Sequence, residues 1–347
     1  MPSRGHAAAA TTAANAAANA AANAAGSTKV QQVDSKTYIV DLDPAFNIGT
    51  VPNGGYVAGH FLAVALAHVA KQYGHSNVIS AHWDFLSRSK AGRGTMVVDE
   101  IKIARNMSVL YISLYQDGQL TEAPWVSAGA RRVIIGSVTC RDMAAETGQS
   151  LIGGGGGGSS GSGPYSSVPP PVDLELLPRG QDPHWQLYEA PNGFRPNQHW
   201  NMYEERIDSA PAAAAAAAGV LDMWLEYRSR DPIVNLDLAY LADVTPAICT
   251  YALQRAPANA SQMLPTASSS VSWYPTVNIH MDFKKSLPAE GTRWLRVQTS
   301  IAQARNGRYG CDVDIFDAEG GMVAQARHVA MIVDMSRNTA SRKTSNL

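Results

Sequence analysis

The sequence predicts an α+β protein built from two similar halves, each with a central helix wrapped by an antiparallel sheet. Three observations support this prediction: a short motif occurs twice, a strongly apolar helical segment precedes its first copy, and strand-like alternation of apolar and polar residues follows both copies. A stretch rich in glycine, serine and proline, residues 151–173, separates the copies. This composition is typical of a linker, because glycine and serine keep a chain flexible.

The linker and the low-complexity stretches determine the predicted domain boundaries. Alanine and asparagine dominate the N-terminal tail, and alanine dominates a short stretch at 212–218 that we expect to be an exposed insertion. Such compositions offer too little apolar surface to form a core. The predicted organisation is a disordered tail at 1–29, an N-terminal half at 30–145, the linker at 146–180, a C-terminal half at 181–336 and a flexible tail at 337–347.

The repeated motif is ISAHWDF at 79–85 and VNIHMDF at 277–283, which align without gaps. Both copies alternate between apolar and polar residues, as a strand with one buried face does. They share three matched positions: His82 with His280, Asp84 with Asp282 and Phe85 with Phe283. We interpret each His–Asp pair as a structural hydrogen-bonded pair. Metal binding is the alternative, but each strand offers only two ligands, so no metal site is predicted.

The first half contains an apolar segment at 54–70 whose side chains cover nearly the whole circumference of a helix. A helix that is apolar all round is buried rather than lying on the surface. Asn53 directly precedes this segment and is the candidate N-cap. One buried helix wrapped by an antiparallel sheet is the hotdog fold, so two such halves predict a double hotdog.

The second half has a less distinct helix, which we place at 241–253. Asp243 or Thr245 would be its N-cap, and Pro246 would lie in its first turn. Outer strands of the second sheet are expected at 185–194 and 199–207, and hairpin turns at Asn306-Gly307 and at 317–321.

The bulk composition argues against several function classes. The chain has 347 residues, is 45% hydrophobic and 16% charged, and has a net charge of −1, so its charge does not favour binding to nucleic acid. It has no apolar run of about 18–20 residues, so membrane insertion is not expected. Its three cysteines are far apart, which fits neither a disulfide framework nor a zinc site.

The C-terminus offers a weak targeting signal in a chain that we otherwise expect to be cytoplasmic. Its last three residues, Ser345-Asn346-Leu347, differ from the Ser-Lys-Leu peroxisomal signal only at the middle position. Arg342 and Lys343 add positive charge just upstream. A peroxisomal location is therefore the alternative.

Two features indicate candidate site residues. Val78 in the first motif copy corresponds to Thr276 in the second, and a purely structural repeat would not require a hydroxyl in one copy only. Two adjacent glycines begin the first helix, where free N–H groups carry a partial positive charge and the absence of side chains lets a ligand approach the backbone. We predict that four residues here bind the substrate or its oxyanion: Asn53, Gly54, Gly55 and Tyr56.

Six segments of the chain, in order, resemble the thioesterase-like superfamily, which contains the double-hotdog acyl-CoA thioesterases. The first half supplies PNGGYVAGHFLAVAL, HWDFLSRSKAG and VVDEIKIARNMSVLYISLYQDGQ, and the second supplies LDLAYLADVTPA, YPTVNIHMDF and DAEGGMVAQARHVAMIV. The resemblance covers about residues 35–140 and 220–335. No single segment is highly specific, and their common order carries the resemblance.

The resemblance implies hydrolysis of an acyl-CoA or another acyl thioester, without a cofactor or metal, and it is compatible with a homo-oligomer. Enzymes of this family hold the hydrolytic water with an Asp, a Ser or Thr, and a Gln. Asp243 and Thr276 match the first two positions, whereas His328 replaces the Gln. A neutral imidazole can still bind a water or act as a base. Because this set lies in the second half, the glycines of the first half are either one wall of a shared site or its silent twin.

Other interpretations remain open at this point. Asp243 could act only as a helix cap, Thr276 as an ordinary strand residue and His328 as a packed core residue. A non-catalytic protein that binds acyl thioesters is one alternative function. An enoyl-thioester hydratase or dehydratase is another, because DLDPAFN at 41–47 partly matches the Asp-x-Asn-Pro-x-x-His loop of hotdog hydratases, although it lacks the histidine.

Overall fold

The computed structural model describes residues 28–149, 171–189, 199–206, 218–255 and 272–340, with only the backbone described at 251–255. Nearly all of the predicted N-terminal tail, the glycine-rich part of the linker, most of the alanine-rich stretch and the C-terminal tripeptide lie outside the described residues. Within the described ranges, no helix is both long and apolar enough to cross a membrane.

Strands dominate the described part of the chain. In chain order they are β1 Val30–Gln32, β2 Thr37–Leu42, β3 Asn47–Ile48, β4 Val51–Pro52, β5 Asn77–Phe85, β6 Gly92–Ala104, β7 Met107–Gln116, β8 Arg131–Arg141, β9 Trp185–Leu187, β10 Trp200–Glu205, β11 Val220–Tyr227, β12 Ser272–Trp273, β13 Thr276–Phe283, β14 Leu295–Ser300, β15 Ala304–Arg305, β16 Arg308–Phe316, β17 Met322–Met331 and β18 Val333–Asp334. The α-helices are α1 Gly54–Tyr73, α2 Leu238–Val244, α3 Pro246–Arg255 and α4 Ser336–Thr339. Short 3₁₀ turns lie at Pro44–Phe46, Met143–Ala145, Leu177–Arg179 and Asn235–Asp237.

One continuous antiparallel sheet of 14 strands runs through both halves, and β5 pairs with β13 at its centre. Outward from β5 the order is β8, β7, β6, β2 and β1; outward from β13 it is β17, β16, β14, β11, β10 and β9. The two sides mirror each other, and His82 lies directly opposite His280 where they join. With α1 packed against the strands of the first half and against α2, this arrangement confirms the predicted double hotdog.

The polar row of the repeated motif faces outward at this junction. His82 lies 3.4 Å from Asp84, and His280 lies 3.4 Å from Asp282. All four side chains are substantially exposed. Among the described residues, no three or more potential ligands are grouped so that they could hold a metal ion. The two pairs are close contacts between exposed side chains, and the hydrogen bond predicted within each pair stays a prediction.

The central helix of the first half, α1, has the predicted N-cap. The Asn53 Oδ1 accepts a hydrogen bond of 2.9 Å from the Tyr56 N–H, which satisfies one of the free donors of the first turn. Its apolar residues are buried around most of the circumference, as the sequence predicts. The helix ends three residues later than predicted, because the chain first reverses at Gly74, whose φ of 71° is left-handed.

The helix predicted at 241–253 is wrong in its boundaries, because the structure has two helices that meet at Thr245. Pro246 has no N–H for a bond to the preceding turn, so α2 ends before it and α3 begins with it. The chain becomes helical earlier because the Asp237 carboxylate accepts a 2.9 Å hydrogen bond from the Val234 N–H. Asp243 therefore lies in the last turn of α2, and the prediction that it is an N-cap is wrong.

The outer strands and the tight hairpin of the second half agree with the sequence. β9 and β10 lie at the far edge of the sheet, within the segments predicted for them. Asn306 and Gly307 have φ values of 53° and 72°, which is the left-handed conformation that a two-residue hairpin turn requires.

Candidate active site

A cavity of about 150 Å³ lies where the two halves meet. The N-terminus of α1, the last turn of α2 and the first residue of β13 all reach its wall. Four of the predicted site residues line it: Asn53, Gly54, Asp243 and Thr276. The structure therefore brings residues from both halves into one site, as the shared-wall interpretation of the glycines expects.

The Asp243 carboxylate is held in one orientation by residues from both halves. Its Oδ1 accepts a 2.8 Å hydrogen bond from the Thr276 hydroxyl, and its Oδ2 accepts a 2.9 Å hydrogen bond from the Gly55 N–H. Burial raises the pKa of Asp243 to about 6, against the opposing effect of hydrogen bonds from Thr276, from the first-turn N–H groups and from Asn53. A carboxylate with a pKa near 6 is suited to accept a proton close to neutral pH.

Gly55 is required by the close approach of α1 and α2. A Cβ at this position would lie 2.2 Å from the carbonyl oxygen of Ala239 and 2.7 Å from the Cβ of Asp243. Gly54 is also crowded, since a Cβ there would lie 3.0 Å from the Asp243 carboxylate. The Gly55 N–H is thus bound to Asp243, so this geometry assigns it to positioning the carboxylate rather than to an oxyanion.

His328 lies behind Asp243 and does not line the cavity. It is only 1% exposed, and its Nδ1 lies 3.7 Å from the Asp243 Oδ1, which is too far for a direct hydrogen bond. Neither ring nitrogen has a hydrogen-bond partner among the described residues. Burial lowers the pKa of His328 to about 3, so the ring is neutral near pH 7 and offers one donor and one acceptor.

Tyr56 lies in the core and not on the cavity wall. Its ring stacks on Phe46, with centroids 4.2 Å apart, and its hydroxyl accepts a 3.0 Å hydrogen bond from the Asp43 N–H. The Asp43 carboxylate accepts from the Ala45 N–H and starts the 3₁₀ turn at Pro44–Phe46. The segment that partly matches a hydratase loop therefore has a structural use in this fold, and substrate binding by Tyr56 does not agree with this position.

The mirror-related position in the first half lacks the hydroxyl and the imidazole. Val78 stands where the second half has Thr276. His328 pairs with Ile279, and the matching strand residue Ala81 pairs with Val138, so a valine replaces the imidazole. A second cavity of only about 40 Å³ lies there, lined by Leu62 among others. The two equivalent places therefore differ in their side chains.

Several cavity residues were not identified from the sequence. They are Arg88 in the first half and Trp273, Tyr274 and Tyr309 in the second. The Arg88 guanidinium donates hydrogen bonds to the backbone carbonyls of Arg337 and Asn338, at 2.6 and 2.7 Å. No local pattern could have indicated these contacts, because they join segments about 250 residues apart.

Comparison with known proteins agrees with the fold. Residues 42–133 match the family model of the acyl-CoA thioesterase N-terminal domain, and residues 171–332 match that of the acyl-CoA thioesterase C-terminal domain. The thioesterase-like protein TwmA of Talaromyces wortmannii is 32% identical over 343 residues, covering 92% of this chain and 94% of that protein.

Solved structures are similar in fold. A protein of unknown function with a hot dog fold from Alicyclobacillus acidocaldarius matches with a TM-score of 0.64 at 13% identity, covering 90% of this chain and 97% of that one. A putative thioesterase II from Thermobifida fusca matches with a TM-score of 0.60 at 19% identity, covering 89% and 96%. Family models for both halves and a relative that matches nearly the full length lead to one conclusion: the chain belongs to the thioesterase-like family of double-hotdog proteins.

Proposed function

We propose that this protein hydrolyses an acyl-CoA or a related acyl thioester, with a water molecule positioned and activated by Asp243, Thr276 and His328. The observation that carries the proposal is the buried Asp243 carboxylate at the cavity wall, fixed by Thr276 on one oxygen and by Gly55 on the other. Burial raises the pKa of this carboxyl to about 6, so it is ionised at neutral pH and still basic enough to take a proton.

Asp243 is the general base in this proposal. It accepts a proton from the water as the water oxygen bonds to the thioester carbonyl carbon. The tetrahedral intermediate then breaks its C–S bond, and the proton returns from Asp243 to the departing thiolate. The products are a carboxylic acid and a thiol, so atoms and charges balance.

His328 orients the water and does not act as the base. Its pKa of about 3 makes it too weak a base to compete with Asp243. A neutral imidazole can nevertheless donate to or accept from a water lying between it and the carboxylate, a task that suits two ring nitrogens without partners among the described residues. This role explains how a histidine can replace the glutamine of related enzymes.

Thr276 completes the arrangement by fixing the carboxylate and offering a hydroxyl beside the cavity. The N-terminus of α1 contributes partial positive charge to the same place, which stabilises the ionised Asp243.

A thiol-release assay with a panel of acyl-CoA substrates tests the proposal. We expect turnover by the wild-type chain and a large loss in Asp243→Asn, because the amide cannot take a proton. Folded wild-type protein that releases no thiol from any substrate would contradict the proposal.

The variant His328→Gln separates hydrolysis from binding without catalysis. Turnover that arises only in this variant would favour a non-catalytic acyl-thioester-binding protein. Turnover that is present in the wild type and retained at a reduced level in His328→Gln supports a water-orienting histidine.

A further inference from the structure

We propose that the cavity beside Asp243 selects a compact acyl group, about the size of a benzoyl or hexanoyl group, and that Tyr309 sets this limit. The inference rests on the proposed hydrolysis of a thioester and adds the class of acyl group. Three features carry it: the volume of the cavity, the aromatic character of its wall and the small residues around Tyr309.

The volume favours a compact acyl group over a long chain. The described residues line an open pocket of about 150 Å³ beside Asp243. An apolar cavity of roughly this size holds one benzene molecule, whereas sites for larger organic ligands usually span roughly 300–1,000 Å³. A dodecanoyl chain would need a cavity extended well beyond the present wall.

The wall suits a ring or a short folded chain. Outside the polar groups near Asp243, four aromatic side chains line the cavity: Phe85, Trp273, Tyr274 and Tyr309. Aromatic rings favour stacked or edge-on contact with another ring, worth roughly 0.5–1.5 kcal/mol beyond area burial. A compact acyl group can contact several of these rings while its carbonyl lies beside Asp243.

Tyr309 is the side chain whose removal would lengthen the cavity. It is 3% exposed and lies on β16, facing the cavity. Its cross-strand neighbours are Ala304 on β15 and Ala330 on β17. Because both neighbours are alanines, neither could fill the space that a shorter residue at 309 would leave.

The test measures kcat/KM for acetyl-, hexanoyl-, benzoyl- and dodecanoyl-CoA, the last below its micelle concentration. For the wild type we expect kcat/KM for hexanoyl- and benzoyl-CoA to exceed that for dodecanoyl-CoA by at least about tenfold, the discrimination that a mainly apolar pocket can provide. Equal or faster turnover of dodecanoyl-CoA would overturn the inference.

Two variants test the limit from opposite directions. Tyr309→Ala should raise kcat/KM for dodecanoyl-CoA relative to that for hexanoyl-CoA. The matched control Tyr309→Phe keeps the ring and should keep the wild-type preference. Since loss of a buried ring lowers stability, Ala247→Leu on α3 provides an independent measure. It fills part of the same cavity, so turnover of benzoyl-CoA should fall by a larger factor than turnover of acetyl-CoA. An unchanged preference in folded Tyr309→Ala or Ala247→Leu would contradict the assignment of the limit.

Binding by Asp243→Asn distinguishes this inference from the proposed function. Quenching of tryptophan fluorescence by benzoyl-CoA and by dodecanoyl-CoA reports acyl preference without hydrolysis. Tighter binding of benzoyl-CoA supports the compact cavity even if the wild type hydrolyses no thioester. Equal or tighter binding of dodecanoyl-CoA counts against it even if hydrolysis is observed.

Discussion

At the residue scale, burial raises the pKa of Asp243 and makes its ionised form costly in free energy. Asp243 is ionised at neutral pH only at a free-energy cost, because most of its hydration is lost and the hydrogen bonds from Thr276 and Gly55 replace it in part. In the proposed mechanism, the same burial gives the carboxylate the basicity that water activation requires. Burial imposes no such free-energy cost on His328, because it keeps the imidazole neutral. The same surroundings therefore suit the two side chains to the separate tasks proposed for them.

The pH dependence of turnover should identify Asp243 as the titrating group. Its pKa of about 6 predicts that kcat/KM falls as the pH drops through about 6, because protonation removes the base. His328→Gln should lower the plateau and leave this midpoint in place, since the imidazole titrates near 3. A midpoint that disappears in His328→Gln would show that the histidine, not the aspartate, is the base. The measurement is a pH–rate profile of both proteins with one substrate.

Asp243→Asn should abolish turnover and change the pH dependence of stability. The folded pKa of about 6 lies above the unfolded value of 3.8, so the contribution of this carboxyl to stability is fully present below pH 4 and is lost as the pH rises through 6. Between pH 4 and pH 8 we expect the stability of the amide variant to rise relative to the wild type by up to about 3 kcal/mol, the equivalent of about two pKa units. The amide has one acceptor oxygen where the carboxylate accepts from both Thr276 and Gly55, so a loss of stability that does not depend on pH accompanies this gain.

Urea unfolding at several pH values checks this difference. Asp237→Asn is the matched control, because burial also raises the pKa of Asp237 to about 6 and it does not line the cavity. The control should show a similar pH-dependent trend in stability. The pH dependence of its kcat/KM should match that of the wild type. A stability difference between Asp243→Asn and the wild type that stays the same from pH 4 to pH 8 would contradict the assigned cost of burial.

At the element scale, the site depends on how closely two helices and one loop approach one another. The N-terminus of α1 touches the last turn of α2 through Gly55, and a strap formed by α4 holds the loop that leads into α1. These contacts position the cavity wall, and in the proposed mechanism Asp243 is the only residue among them that takes part in the chemistry. Changes in them should therefore reduce activity by displacing whole elements.

Gly55→Val should be disruptive because its Cβ would overlap the backbone of Ala239. The distance of 2.2 Å to that carbonyl oxygen cannot be relieved by a side-chain rotation, so α1 and α2 must separate. We expect the free energy of unfolding to fall by about 1–3 kcal/mol or more, since 1–3 kcal/mol is the usual cost of overpacking. Turnover should be lost as well. Gly129→Ala is the control, since its Cβ meets no atom within 4 Å. Wild-type turnover and melting temperature in Gly55→Val would show that the close approach is not required.

Asn338→Ala should loosen the strap that holds the loop before α1. The side chain is fully buried: its Nδ2 donates to the Ile48 carbonyl and its Oδ1 accepts from the Thr50 N–H, at 2.8 and 2.9 Å. Leaving these backbone groups unsatisfied costs about 1–3 kcal/mol each if they stay buried. We expect a lower melting temperature and a raised KM, because Val51 and Pro52 of this loop line the cavity.

The neighbouring variant Thr339→Ala is the control for Asn338→Ala, because the Thr339 side chain is exposed and its hydroxyl contacts only its own helix turn in the described structure. It should melt and turn over substrate as the wild type does. If Asn338→Ala and Thr339→Ala have the same melting temperature and the same KM, the contacts of α4 with the loop before α1 do not support the site.

At the scale of the whole molecule, a duplicated architecture supports a single site. The sheet order is nearly symmetric about the β5–β13 junction, yet a buried carboxylate fixed by a threonine hydroxyl lines only one of the two cavities described. Both halves contribute to this arrangement, because the carboxylate comes from the second half and an N–H that fixes it comes from the first. In the proposed mechanism the second half supplies the reactive groups, and both halves help to position them.

Local patterns in the sequence determined much of this protein. The alternating motif repeated at 79–85 and 277–283 indicates strands, the apolar segment after Asn53 indicates a buried helix, and their duplication indicates a double hotdog. Such signals are readable because the period of a strand or helix and the chemistry of its cap are properties of neighbouring residues. The family motifs also indicated Asp243 and Thr276, which the structure brings within 2.8 Å.

Only the tertiary structure decided what these elements do to one another. Gly55 and Asp243 are 188 residues apart, and their hydrogen bond exists because two helices pack without an intervening side chain. The position of Tyr56 in the core and that of Tyr309 on the cavity wall likewise depend on which faces pack together. Local sequence specifies the faces of each element, whereas close packing of distant segments determines which groups lose water, which meet a partner and which line the cavity.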